Sequence, residues 1–174
     1  ILTSCLGEYL DCSQIMDECN VPNGDGSTCS STVTDYDGNN YEIVQIGDQL
    51  WMAENLKVTH YNNGDEIQYV QSESSEPDVW EDLSTGAYGY YNDDQDHLDT
   101  YGNLYNWYAV GDDRGVCPGS WHVPSRNEIL TLVDYLGGDD IAGGKMKETG
   151  TEHWNDPNTG ATNERGFTGL GGGA

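Results

Sequence analysis

"TVTDYDGNNYEIVQIGDQLWMAENLKV", residues 32–58, decides the fold. Val33 and the run from Tyr41 to Ile46 have the β-branched and aromatic content of strands, and Asp37-Gly38-Asn39 is a turn signal between them. Gly47-Asp48 supplies a second turn, so three strands in succession are predicted, a β-meander. Ile43 and Gln45 fall on one side of the middle strand, Val44 and Ile46 on the other. Leu50, Trp51 and Met52 read as core or sheet-face residues. Glu54 has no carboxylate or His partner nearby in sequence, and Lys57 is expected to pair with an acid.

Composition agrees with a turn-rich, aromatic-cored domain. Twelve Tyr, 5 Trp and 23 Gly accompany a single Phe, and 174 residues are enough for one core of ordinary size. Against 31 Asp and Glu stand 6 Lys and Arg, a net charge of -25 that repels nucleic-acid phosphates and anionic membrane surfaces. No apolar run is long enough to span a bilayer, and no membrane-spanning segment is expected. The chain starts at Ile1, which fits removal of an export signal and an extracellular location.

Cysteines divide the chain. Cys5, Cys12, Cys19 and Cys29 crowd the start, and Cys117 stands alone. On a helix the seven-residue spacings would leave successive thiols about 10 Å apart, too far to bridge one another. With no CxxC pair and with His60, His97, His122 and His153 dispersed, disulfides fit better than zinc. Five cysteines allow two bridges and a leftover thiol that could join subunits. "NVPNGDGSTCSST", residues 20–32, reads as a linker, which places a Cys-rich leader at 1–31 and the main domain at 32–174.

Downstream, "VPSRNEILTLVDYLGG" at 123–138 predicts a helix. Ser125 caps it with Glu128 completing a capping box, Ile129, Leu132, Val133 and Leu136 form its apolar stripe, and Gly137 ends it. "YGNLYNWYAVG", 101–111, suits either a short helix or a strand, with the helix preferred. The Gly-rich stretch that follows 138 carries no strong strand pattern. Within "NDDQDHLD", 92–99, Asp93, Asp94, Asp96 and Asp99 are candidate calcium ligands against the simpler reading of a charged loop. DYDGNN is a hairpin signal before it is a calcium loop. There is no nucleophile elbow, phosphate-binding Gly loop or metalloprotease helix, and no enzyme is expected.

"YEIVQIGDQLWMAENLKVTHYNNGDEI", "TYGNLYNWYAV", "VCPGSWHVPSRNEILTLVDYLGG" and "GGKMKETGTEHWNDPNTGATNERGFTGL" occur in this order. Together, over about residues 33–170, they resemble the Fibrobacter succinogenes major paralogous domain, a family of bacterial secreted and surface proteins. "GSWHVPSRNEI" is also similar to a segment of the formylglycine-generating-enzyme group. That similarity implies an α+β, C-type-lectin-like fold, while the late cysteine pair that its oxidase chemistry needs is missing. Family members usually continue into aromatic strands with a late Cys, so the resemblance implies a domain truncated at its C-terminal strands. By the same resemblance, Cys117 must be free, pair with the amino-terminal cluster, or pair with another chain.

Two functions follow as expectations. The first is a structural subunit of an extracellular bacterial fibre or surface assembly, a homopolymer joined by strand complementation, with Ile1, Leu2, Leu6, Leu10, Ile15 and Met16 of the leader as subunit contacts. The second is a secreted carbohydrate-binding lectin-like module in which Trp80, Tyr88, Tyr90 and Tyr91 stack on glycans.

Overall fold

The computed structural model describes residues 5–7, 32–71 and 80–172. Leu6–Gly7 forms β1, Thr32–Thr34 β2, Asn40–Ile46 β3 and Gln49–Met52 β4; Gln68–Tyr69 (β5), Ala87–Tyr90 (β6), Asn103–Tyr105 (β7) and Trp121–His122 (β8) follow. Two helices are single turns, Leu98–Tyr101 (α1) and Trp107–Val110 (α2), and two are longer, Arg126–Tyr135 (α3) and Asp139–Met146 (α4). The architecture is mixed α+β. Among the described residues no helix is long and apolar enough to cross a membrane.

The meander forms as its pattern dictates, with β2, β3 and β4 adjacent and antiparallel. Asp35 ties the first turn: its carboxylate accepts the Asn39 N–H at 2.9 Å and the Tyr41 hydroxyl at 2.5 Å. The sheet then continues through β1, which lies between β4 and β8 and is antiparallel to both, giving the order β2-β3-β4-β1-β8. Val44, Trp51, Leu6 and His122 are cross-strand partners in register. Expected in a subunit contact, Leu6 is thus only 3% exposed inside the sheet of its own chain. Ile1, Leu2, Leu10, Ile15 and Met16 lie outside the described residues, as do Cys12, Cys19 and Cys29.

Strand alternation sends the side chains of this sheet into two cores. Leu6, Ile46 and Trp51 meet Leu132, Leu136 and Ala142 under the helices. On the opposite face Cys5, Tyr41 and Met52 join Leu56, Val58, Tyr61, Tyr88, Tyr105 and Cys117. Burial on both faces explains why "LWM" in β4 is continuously apolar. Cys5 and Cys117 form a disulfide, 112 residues apart in sequence, so Cys117 pairs with the amino-terminal cluster. The Cys5 carbonyl also accepts the Met52 N–H at 3.1 Å.

α3 begins with the predicted capping box. Ser125 N–H donates to Glu128 Oε2 at 2.8 Å, and the Ser125 hydroxyl oxygen accepts the Glu128 N–H at 3.4 Å. Gly137 and Gly138 end the helix at φ of 103° and 100°, left-handed values that glycine tolerates. Ile129, predicted in the buried stripe, is 41% exposed, because Leu6, Ile46, Trp51 and Ala142 meet the C-terminal half of the helix at Leu132 and Leu136. The 101–111 segment divides: Tyr101 ends α1, Asn103–Tyr105 is β7, and Asn106 then caps α2 by accepting the Ala109 N–H at 2.9 Å. α4 was not predicted, since its "DDIAGGKM" has almost no apolar stripe. Its Gly144 packs against the backbone of Gly160, where a Cβ would lie 2.4 Å from the carbonyl oxygen.

Candidate functional site

Among the described residues, two concave regions at the margins of these cores gather polar and aromatic side chains. The first is an open groove of about 570 Å³ lined by Thr59, His60, Glu66, Ile67, Gln68, Tyr69 and Tyr88. β5 runs parallel to β6 with Tyr69 opposite Tyr88, so cross-strand pairing gathers their rings. Ring centroids are 5.5 Å apart for Tyr69 and Tyr88 and 5.1 Å for Tyr69 and Tyr90. Tyr69 is 40% exposed whereas Tyr88 is buried, so the cluster is rooted in the core and presents one ring to solvent. Burial first, then neighbouring Tyr90, pushes the Tyr88 phenol up to about 12. Burial also raises Tyr69, and both phenols therefore stay protonated donors at neutral pH.

The polar wall of the groove is ordered by Asp37. Its Oδ2 accepts the Thr59 N–H at 2.6 Å and the Thr59 hydroxyl at 2.8 Å, and its Oδ1 lies 2.6 Å from His60 Nδ1. Burial pushes this carboxyl up, but the hydrogen bonds from Thr59 and His60 outweigh burial and hold it below its ordinary value. DYDGNN thus spends its acids on local structure: Asp35 on its own turn, Asp37 on the groove.

The second region is a cavity of about 300 Å³ bounded by the β4 end and the loop after it (Met52, Glu54, Lys57), by Asp99, by Glu148 and His153, and by Phe167–Leu170. Lys57 Nζ lies 3.7 Å from both Glu54 Oε2 and Asp99 Oδ1, the acid partnership expected of it. Glu54 also accepts the Glu42 N–H at 3.1 Å. Across the cavity, His153 Nδ1 and Glu148 Oε2 are 2.8 Å apart.

Other sequence candidates are placed differently. Trp80 packs on Gly89, whose Cβ would meet the indole at 2.9 Å, so by alternation it lies on the face of β6 away from Tyr88 and Tyr90. Tyr91 joins His97 and Tyr101, with ring centroids 5.4 and 4.6 Å away. Asp93, Asp94, Asp96 and Asp99 do not converge on a common point among the described residues. Asp94 instead accepts the Asp96 N–H at 2.9 Å, and Asp99 faces Lys57. The groove residues Tyr69, His60 and Glu66 escaped sequence reading. Tyr69 gave a usable signal, since Tyr69, Tyr88 and Tyr90 lie on short segments with β-type aromatic content.

The model of the Fibrobacter succinogenes major domain matches residues 44–174. The chain belongs to this family. No curated protein and no solved structure matches it. The family match covers β4 to α4, both concave regions and Cys117; Cys5 and β1, which complete the sheet, precede it.

Proposed function

We propose that this member of the family is a carbohydrate-binding module of C-type-lectin-like fold, acting by binding rather than catalysis at the bacterial cell surface or outside the cell. The observation that carries the reading is the Tyr69 ring, exposed above Tyr88 and Tyr90 and flanked by Thr59, His60, Glu66 and Gln68. Pyranose rings present C–H faces that pack on aromatics and hydroxyl edges that need donors and acceptors, and this groove offers both on a fixed sheet. Affinity electrophoresis of the full chain in gels containing soluble polysaccharides tests it. At least one polysaccharide should retard the protein, and Tyr69→Ala should abolish the retardation with an unchanged circular dichroism spectrum. Absence of retardation across the main β- and α-linked polysaccharides, or equal retardation of the variant, would remove the reading.

A second reading is supported by β1. A two-residue strand fills the gap between β4 and β8, and residues 8–31 separate it from β2. The same slot would accept Leu6–Gly7 of a second copy, which is the geometry of a fibre subunit joined by strand complementation. Deleting residues 1–19 discriminates: a complemented fibre requires them, and filaments seen by negative-stain microscopy of the deleted protein would exclude it.

A further inference from the structure

We propose that Glu148, Glu152 and His153 form a binding site for a divalent transition cation, with Zn²⁺ as the reference ion, at the rim of the 300 Å³ cavity, which Glu148 and His153 line while Glu152 is exposed beside them. One ligand atom from each residue lies within 4.8 Å of the others, and this is the one group of its kind among the described residues. Tetrahedral coordination at about 2.0–2.2 Å spaces ligand atoms about 3.4 Å apart, which small side-chain rotations reach from here. A His with two carboxylates is a borderline-to-hard donor set suited to zinc-like ions. With three protein ligands it leaves coordination positions open towards the cavity.

Local charge points the same way. Two glutamates lie close together here, while Lys57, on the lining of the same cavity, is held by Glu54 and Asp99, and Lys147, the nearest lysine in sequence, sits over the Trp154 ring, 4.6 Å from its centroid. His153 Nδ1 is hydrogen-bonded to Glu148 Oε2, which leaves its Nε2 for an ion, and among the described residues no lysine or arginine pairs with Glu148 or Glu152. The backbone that presents them is pinned from several directions: Glu148 N–H donates to the Gly169 carbonyl at 3.0 Å and Trp154 Nε1 donates to the same oxygen at 3.0 Å. Asn158 Nδ2 donates to the carbonyls of Glu148 and Gly150 at 2.8 and 2.7 Å. Tyr101 sets its ring edge-on against the His153 imidazole, centroids 5.8 Å apart. Such outer contacts orient ligands before the ion arrives. The short "ETGTEH" run, 148–153, carries the whole donor set, which neither the dispersed histidines nor the acidic 92–99 loop suggested.

The test is calorimetric titration of the full chain with ZnCl₂, after alkylation of free thiols so that leader cysteines cannot compete. One site is expected, and Co²⁺ at the same site should give visible d–d absorption. Glu152→Gln alters an exposed residue and leaves the fold intact, yet it should weaken Zn²⁺ by about tenfold or more, as should His153→Ala. Asp94→Asn should change nothing. Failure of the wild type to bind, or equal binding by Glu152→Gln and the wild type, overturns the site. So does weakening by Asp94→Asn as large as that by Glu152→Gln, which would mean diffuse attraction to an acidic surface.

Discussion

The two faces of the five-stranded sheet are held by different means. Beneath α3 and α4 six buried residues, mainly aliphatic, pack on one another, and the stability of that side comes from area removed from water and from a well-capped helix. The other face is covered by short strands and loops, and its core is built from tyrosines and a disulfide. Loops lack a ladder for their backbone groups, so tyrosine hydroxyls and asparagine amides take that place. Tyr105 donates to the Val58 carbonyl at 2.6 Å, Asn103 Nδ2 to the Lys57 carbonyl at 2.8 Å, and the Tyr41 oxygen accepts the Lys57 N–H at 2.9 Å. Where regular structure is scarce, the protein substitutes polar side chains and one covalent link, and the aromatic groove opens on that side.

If this contrast is right, the largest stability loss comes from the looped face. Cys5→Ser opens a link across 112 residues and should cost about 5 kcal/mol by loop-closure entropy, read as a lower urea midpoint that the wild type reproduces only after reduction. Leu132→Ala on the helical face should cost about 3 kcal/mol, and that loss should be the same with and without reductant. A reductant-dependent loss would show that the faces are not independent. Ser125→Ala removes the capping box and should cost about 1 kcal/mol in the same urea assay.

The smallest effect is at the exposed end of the looped face. Arg114 donates through Nε and Nη2 to Asp112 at 2.8 Å each and through Nη1 to Asp65 at 2.9 Å, with its guanidinium 3.9 Å above the Tyr61 ring. These hydrogen bonds hold Asp112 at about 2, below its ordinary 3.8. A carboxyl depressed by folding contributes stability above its unfolded value and loses it as pH falls through the folded one. The difference in melting temperature between wild type and Asp112→Asn should therefore be full at neutral pH, shrink from about pH 4 to about pH 2, and narrow in high salt.

Legibility from sequence followed local signals rather than the two faces. The meander and α3 were readable because alternation, an Asp-Gly turn and a capping box are local signals. The acid partners of Lys57 were legible only as a class, since Asp99 is brought to it by tertiary folding. β1 could not be seen: two residues have no period, and Leu6 becomes a core residue only because β4 and β8 leave a gap for it. α4 lacked a stripe because its residues are mostly polar or glycine, of which Gly144 serves the approach of the 160 loop. Tyr69 and the "ETGTEH" run were passed over because each acquires meaning from distant partners: Tyr88 and Tyr90 for one, Gly169 and Tyr101 for the other.

The internal position of β1, between β4 and β8, also sets an order of events in time. Leu6 pairs with Trp51 across a large loop, and closing large loops slows folding even where the Cys5–Cys117 disulfide already holds β1 near His122. The far side of the sheet is therefore completed last: β2, β3 and β4 can zip locally while the slot between β4 and β8 waits for Leu6–Gly7. In pulse-labelled hydrogen exchange during refolding, the Met52 amide, which donates to Cys5, should gain protection later than the Ala53 amide, which donates to Glu42 inside the meander.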